Sequence, residues 1–226
     1  MRGAVVLISG IALAAKALKP SIDVYGVQTK AYPSMYDVIK GANLPCAGQS
    51  MAEGIAVKAP GELTQRIVRE HVKDIFLVGE DEIEHAVAGL LEIEKTVVEG
   101  AGAAAFAAVA GNREVFKGRH VGVILSGGNI DMRLLSNVIL RELSREGRMF
   151  FVAIEIDDKP GVLARIAALV GEAGGNILEV SHNRMLIDAS AKSATLGMLI
   201  EGRDNDHANE IRAHLEGAGF ALKVRE

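Results

Sequence analysis

Up to about Arg145, short apolar runs alternate with stretches of helical periodicity, and this alternation narrows the fold more than any other feature of the chain. The segment "IDVYGVQ" places Ile22, Val24, Tyr25 and Val27 in a strand-like run, and "DIFLVG" is a second buried run. A third, "HVGVIL", has no polar alternation, which suits a strand covered on both faces. The intervening "GELTQRIVREHV" is helical. In "EDEIEHAVAGLLEIEKTVVEG", Ile83, Val87, Leu90 and Leu91 share one face, and acids fill the first turn, where the helix dipole favours them. "GAGAAAFAAVAG" reads as a helix whose small side chains permit close backbone approach. Ile130, Leu134, Val138 and Leu143 mark a last helix. Such strand–helix alternation predicts an α/β domain with a mostly parallel sheet and helices on both sides.

Near Gly147 the pattern changes. "MFFVAIEI" is a strand, "DDKPGVLARIAALVGEAGG" a turn and helix, and "NILEVSHNRML" a strand. "SATLGMLIEG" follows as a strand, "DNDHANEIRAHLEGAG" as a helix and "FALKVRE" as a closing strand. The order βαββαβ is the ferredoxin-like α+β arrangement, with two helices on one face of a four-stranded antiparallel sheet. A boundary at Glu146–Gly147 gives domains over 1–146 and 147–226.

A chain of 226 residues accommodates two such domains. The net charge of −4, with no Lys/Arg cluster interleaved with aromatics, gives no reason to expect a nucleic-acid partner. The single cysteine, Cys46, excludes an internal disulfide framework and fits a reducing, cytoplasmic compartment. It reads as a small loop or packing residue rather than a reactive thiol. The opening "MRGAVVLISGIALAAKALKP" has the basic start and apolar stretch of a secretory signal, but Gly10 and Lys16 interrupt it and it is too short to span a bilayer. The competing reading is a buried element followed by a helix from Ile11 to Leu18, stopped by Pro20. His71, His85, His120, His182, His207 and His214 show no ligand spacing and read as surface or helix residues.

Between the run "HVGVIL" and the last helix stands "SGGN", which offers the Ser126 hydroxyl and the backbone N–H groups of Gly127, Gly128 and Asn129 to a cofactor. In the second domain, Pro160 fixes a turn, Gly161 permits close approach, and Val162, Leu163 and Ile166 anchor a helix, with "GGNI" opening the next strand about fifteen residues later. From Phe150 to Glu226 this closely resembles the ACT domain, a small regulatory module that binds amino acids. In that family, ligands sit at the loop between the first strand and helix, usually between two modules. The matching positions are Asp157, Gly161, Asn176 and Ile177. Exposed N–H groups at a helix start suit a carboxylate, and Asn176 or Asp157 could hold an ammonium or amide. Alternatively Gly161 and Asn176 only make tight turns and the module is an assembly surface. Edge pairing of such sheets implies a homo-oligomer formed through this domain.

"GGNIDMRLLSNVI", "EGAGAAAFAAV" and "AEGIAVKAPGEL" together resemble the C-terminal part of the threonine ammonia-lyases (threonine dehydratases), fold-type II pyridoxal-phosphate enzymes that deaminate threonine, and often serine, to a 2-keto acid and ammonia. Many carry a C-terminal ACT domain. The resemblance makes Ser126 the hydroxyl that hydrogen-bonds the pyridine nitrogen, Glu99 a pocket-lining acid, and Gly54 part of a backbone segment passing the ring face. A neutral hydroxyl leaves the ring nitrogen unprotonated, a weaker electron sink that suits β-elimination.

The family's Schiff-base lysine lies upstream in a Ser-Phe-Lys-x-Arg-Gly-Ala phrase, and its phosphate site is a glycine run before a Leu-Ile-Ser-Gly-like segment. Here "LISGIALAAK" is preceded by "MRGAVV", and no lysine stands in the required phrase, although Arg2-Gly3-Ala4 echoes it. The N-terminus is therefore read as the helix that follows the phosphate loop, over a cleaved signal. Some enzymes of this fold, serine racemases among them, hold a divalent metal at positions that here are Gln28 and Ser34; neutral oxygens compensate a hard dication poorly, so no metal is expected. The expectation is a truncated threonine ammonia-lyase family chain, inactive alone. The alternatives are a non-catalytic amino-acid-binding regulatory or assembly protein, and a split enzyme whose N-terminal half is supplied in trans.

Overall fold

The runs "VYGVQT" and "DIFLV" do form strands, and they lie side by side. The computed structural model describes residues 3–183 and 193–223, in two compact units that divide between Val138 and Ile139. In the first unit, α1 (Gly3–Leu18), β1 (Tyr25–Thr29), α2 (Ser34–Lys40), a 3-10 turn (Glu53–Ile55), α3 (Glu62–His71), β2 (Asp74–Val78), α4 (Glu80–Glu92), α5 (Gly100–Gly111) and α6 (Arg113–Phe116) follow in order. Helix α7 (Met132–Arg145) runs across the division.

Strands β1 and β2 pair in parallel, from Tyr25 opposite Asp74 to Thr29 opposite Val78. Successive strand residues point to opposite faces. Ile75 therefore joins Met35, Val57 and Val68 in one small core, with Ile8 packed against it. Tyr25 and Phe76 instead meet Phe116, with ring centroids 5.5 to 5.6 Å apart. The alanine-rich α5 lies against both strands and α4, its Ala103, Ala104, Ala107 and Ala108 buried. Small residues let its backbone approach closely, as the composition predicted.

Two expectations are corrected. The segment before Ile11 is not a separate buried element: α1 is one helix from Gly3 to Leu18. A lone glycine inside a helix costs about 1 kcal/mol relative to alanine, too little to divide a segment otherwise rich in good helix formers, and Gly10 has open space where a Cβ would be. The run "HVGVIL" is not a strand; residues 120–131 have no regular secondary structure, and Val121, Ile124 and Leu125 are exposed. Its composition suits a strand, but a strand exists only where a neighbour takes its N–H and C=O groups. Among the described residues β1 and β2 pair only with each other, and neither extends the ladder to this run.

The second unit follows the expected order: β3 (Met149–Asp157), α8 (Val162–Glu172), β4 (Asn176–Asn183), β5 (Ser193–Glu201), α9 (Asn205–Gly217) and β6 (Leu222–Lys223). The strands stand in the order β4-β5-β3-β6, every neighbouring pair antiparallel. Alternation puts Phe150, Val152, Ile154 and Ile156 of β3 and Ala194, Leu196, Met198 and Ile200 of β5 on one face. They bury against Ile166 and Val170 of α8 and Ala208, Ile211 and Leu215 of α9. "NILEVSHNRML" is a strand through Asn183; its last three residues, and the final three of "FALKVRE", lie outside the described residues. His207 is a helix residue, as expected, but it is buried in this unit rather than on its surface. Its Nε2 lies 2.8 Å from the Ala173 carbonyl oxygen, and its Nδ1 accepts from the Arg203 N–H at 3.1 Å. No described helix is long and apolar enough to cross a membrane.

Candidate functional site

In parallel α/β sheets, ligands gather beyond the carboxyl ends of the strands. At that end of β1, the fully buried Thr29 donates its hydroxyl to Glu80 Oε1 at 3.2 Å. Glu80 opens α4 just past the end of β2, and its other oxygen accepts from the Met51 N–H at 2.8 Å. Lys30 N–H bonds to the Val78 carbonyl at 2.8 Å, and the Lys30 ammonium pairs with Glu82 at 2.8 Å, closing the two strand ends together.

Met51 brings in the second segment. Its carbonyl oxygen packs on Gly100 so closely that a Cβ there would lie 2.7 Å from it. Three residues on, a Cβ at Gly54 would lie 3.0 Å from Ala101 Cβ and 4.0 Å from Glu99 Oε1. The third segment arrives from the other side. The Glu99 N–H donates to the Gly127 carbonyl at 3.0 Å, and a Cβ at Gly127 would lie 2.5 Å from Glu99 Oε1. A Cβ at Gly102 would lie 2.6 Å from the Gly127 oxygen, and one at Gly128 2.8 Å from the Val97 oxygen. At Gly100, Gly102 and Gly128 the near atom is a backbone oxygen that cannot rotate away, so glycine there follows from how the three segments touch. "MAEG", "VEGAG" and "SGG" thus converge about the carboxylate of Glu99, which stands at the N-terminal end of α5, where the helix dipole favours negative charge.

Gly54, Glu99, Gly127 and Gly128 are therefore brought together, while Ser126 and Asn129 stand beside them, exposed. The arrangement is three backbone segments packed on glycines about the Glu99 carboxylate, with the exposed Ser126 next in the chain to Gly127. The exposed Ser126, Gly128 and Asn129 beside this carboxylate offer a hydroxyl and backbone N–H groups that fit the polar edge of a heterocycle. None of the residues that form the arrangement carries an amine, so it offers no covalent tether.

In the second unit the four ligand candidates are divided. Register sets Asp157 opposite Ser193 and Asn183 opposite Thr195 at one end of the sheet; Met149, Glu201 and Asn176 lie level at the other. Gly161, at φ +90, precedes α8 on the side of Asp157. Asp157 is paired with Lys159 at 2.7 Å, and the hydrogen bond from that ammonium holds its carboxyl below the usual range. Asn176 donates to Glu201 at 3.0 Å, and Ile177 packs against the core. Within one chain these residues form two separate pairs.

Gln28 and Ser34 hold protein groups. Gln28 accepts from the Tyr36 N–H at 2.8 Å and donates to the Tyr32 carbonyl at 3.2 Å, and Ser34 donates to the Val57 carbonyl. The amide bridges both ends of the turn after β1. Among the described residues no three or more His, Cys, Asp or Glu side chains are grouped so as to hold a metal. Sequence reasoning missed Thr29, Glu80 and Met51. The available signal was an acid immediately after a predicted strand, which was absorbed into the helix-dipole argument.

The family model for pyridoxal-phosphate dependent enzymes matches residues 3–127. An L-threonine ammonia-lyase of Thermotoga maritima is 38% identical over 220 residues, which is 96% of this chain and 55% of that protein. The chain thus spans about half the length of the curated relatives it matches. Among solved structures, maize serine racemase superposes with a TM-score of 0.53 at 32% identity, covering 63% of this chain and 46% of that one. The processed form of threonine deaminase isoform 2 from Solanum lycopersicum does so with a TM-score of 0.54 at 28% identity, covering 63% and 40%. With the matched stretch reaching from α1 to the glycine turn, the chain belongs to the pyridoxal-phosphate dependent enzyme family.

Proposed function

We propose that the first unit is the ring-binding part of a threonine ammonia-lyase catalytic domain and that the second is an ACT regulatory domain. The observation that carries this is the convergence of Gly54, Glu99 and Gly127 next in the chain to the exposed Ser126. Pyridoxal phosphate, when bound, supplies the electron sink for deaminating L-threonine or L-serine to a 2-keto acid and ammonia. The chain's own part is to hold it. Ser126 would hydrogen-bond the pyridine nitrogen, a neutral partner that leaves it unprotonated. Gly127, Gly128 and Asn129 line the turn beside it. Glu99 would set the electrostatics of the pocket wall, and the Gly54 segment would line it.

The residues that would complete catalysis are not within this sequence: no lysine stands in the family's lysine phrase, and no glycine run precedes "LISG". Loss of a general base alone costs on the order of 10²–10⁴ in rate. The isolated polypeptide is accordingly inactive, and activity requires the remaining catalytic region, supplied in cis or by a separate chain. The exposure of Val121, Ile124 and Leu125 supports this, because a strand-forming apolar run with no ladder calls for further protein beside it. The β4-β5-β3-β6 order supports the ACT reading, and with it a homo-oligomer built on that unit and an amino-acid ligand. Since Asp157 and Gly161 stand at one end of the sheet and Asn176 and Ile177 at the other, such a ligand uses both pairs only if it lies between two copies. The lone cysteine supports a cytoplasmic setting.

The test is an assay of 2-oxobutanoate from threonine with purified chain and added pyridoxal phosphate. No turnover is expected, and turnover by the isolated chain would refute the inactivity. The second reading, a non-catalytic amino-acid-binding or assembly protein, is favoured by the self-contained core of the second unit. Calorimetric titration with isoleucine, valine, serine and threonine separates the two. Binding that persists when the missing catalytic region is supplied, with still no turnover, selects the second.

A further inference from the structure

We infer that Glu80 is a positioning residue for the candidate site, holding Met51, and through it Gly54, at the height where they meet Glu99 and Gly100. The inference concerns the same surface as the proposed function and rests on that surface being the functional one. Three segments distant in sequence meet at this carboxylate: the end of β1, the start of α4 and the irregular stretch that leads to the 3-10 turn. One oxygen receives the hydroxyl of Thr29, which is fully buried; the other receives the N–H of Met51. Residues 41–52 have no regular secondary structure, so this bond, with the Ala52 N–H to Ser50 Oγ at 3.1 Å, is the last tie before Gly54.

The alternative is that Glu80 serves only as an acid at a helix start. Two features weigh against it. Asp81 and Glu82 also stand in that first turn, and Glu82 already receives the Gly79 N–H at 2.6 Å and pairs with Lys30. Glu80 instead directs its two oxygens to neutral donors on two other segments, a cross-linking geometry rather than a capping one. The loop is also tied earlier, by the Tyr32 hydroxyl to the Gly48 carbonyl at 2.7 Å and by Ser50 Oγ beside Thr29 Oγ1 at 3.5 Å, but among the described residues only Glu80 joins Met51 to the start of α4. Displacement of Met51 acts directly on the site, because its carbonyl is the group that presses on Gly100, next to Glu99.

Hydrogen exchange of the intact chain, read by mass spectrometry, tests this without any bound cofactor. Glu80→Ala is expected to speed exchange of the 50–54 amides about ten- to a hundredfold, while the rest of the first unit stays within about threefold. Glu80→Gln keeps one acceptor for Met51 and gains a donor for Thr29, so it is expected to remain within about threefold of the parent everywhere. Unchanged 50–54 exchange in Glu80→Ala would overturn the inference. So would an equal rise throughout the first unit, which would make Glu80 a general stabiliser. Equal losses in both variants would also overturn it, since they would identify charge at the helix start as the cause. A parallel absorbance titration with pyridoxal phosphate separates the two levels of the argument. Weaker binding by Glu80→Ala, by tenfold or more with Glu80→Gln unaffected, supports the positioning role. No binding by the parent chain would count against ring binding by the chain alone and leave the exchange data to decide Glu80.

Discussion

The core of the second unit and the glycine corner of the first are held together by opposite means. In the second, two helices lay Ile166, Val170, Ile211 and Leu215 onto the alternating aliphatic face of β3 and β5, and the core closes on large side chains. In the first, the convergent corner rests on close approach to backbone, where a Cβ at Gly100, Gly102 or Gly128 would lie 2.6 to 2.8 Å from a backbone oxygen. Burial of large aliphatic groups yields stability in proportion to area. Glycine-to-backbone contact buries little apolar area and instead fixes where three segments lie. The second unit is thus built to fold, and the convergent corner of the first is built to place a carboxylate and a hydroxyl.

The largest effect should follow from truncating the core of the second unit. Ile154→Ala, at a position with no exposure, is expected to cost about 2–5 kcal/mol, read as faster exchange across β3 and β5. The matching change in the first unit is Ile124→Ser, where the residue is 49% exposed. There the expected change is within about 0.5 kcal/mol. Equal costs at the two positions would erase the distinction.

Next in size is Gly102→Ala. Its methyl would lie 2.6 Å from the Gly127 oxygen, 2.7 Å from Val98 Cγ1 and 3.0 Å from the Gly127 nitrogen. Two of those atoms are backbone and cannot rotate away. The substitution is expected to cost about 1–3 kcal/mol, with the exchange of 97–102 and 126–128 rising together. A neutral outcome would mean that this corner yields, and that its glycines are not there for contact.

Those glycines show what could be read from the residues alone. The second unit was legible nearly throughout, because a period-two pattern on β3 and β5 and a period near 3.6 on α8 and α9 each specify a face. The convergence of Gly54, Glu99 and Gly127 was legible only through resemblance, since no local pattern says that positions 54, 99 and 127 meet. The "HVGVIL" strand was misread because composition reports what a segment could pair with and not whether a partner lies beside it. Glu80 was misread because an acid in a first helical turn has an adequate local explanation. Its bonds to Thr29 and Met51 are long-range facts.

A smaller effect, of opposite sign, separates glycines that make contacts from those that do not. Gly171 lies within α8, and no atom stands within 4 Å of where its Cβ would be. Gly171→Ala should stabilise the second unit by about 0.5–1 kcal/mol, seen as slower exchange in α8. A loss there would point to a packing role absent from this chain's own contacts.

The smallest effect is one of pH, and in the first unit it can be followed through its tyrosines. Lys40 hydrogen-bonds Asp74 and holds its carboxyl below the usual range, with the Ile75 N–H assisting. At Glu82, burial pushes the carboxyl up, but the hydrogen bond from Lys30, the Gly79 N–H and the Lys30 charge together outweigh it and the net shift is downward. A carboxyl depressed in the folded state binds fewer protons there than when unfolded. Its contribution is therefore complete above the unfolded value and is lost as pH falls through the folded one. Both pairs are more than a third exposed, so each contributes at most about 1 kcal/mol and less in salt. Tyr25, Tyr32 and Tyr36 are the only tyrosines, all in the first unit, and the chain has no tryptophan, so tyrosine emission during urea unfolding reports on that unit. Its midpoint should fall between about pH 5 and pH 3, and Lys30→Ala should shrink that fall by removing the cation that keeps Glu82 ionised. If Lys30→Ala left the slope unchanged, the clamp between the ends of β1 and β2 would owe nothing to charge, and the backbone bond from Lys30 to Val78 would be what holds that end of the sheet.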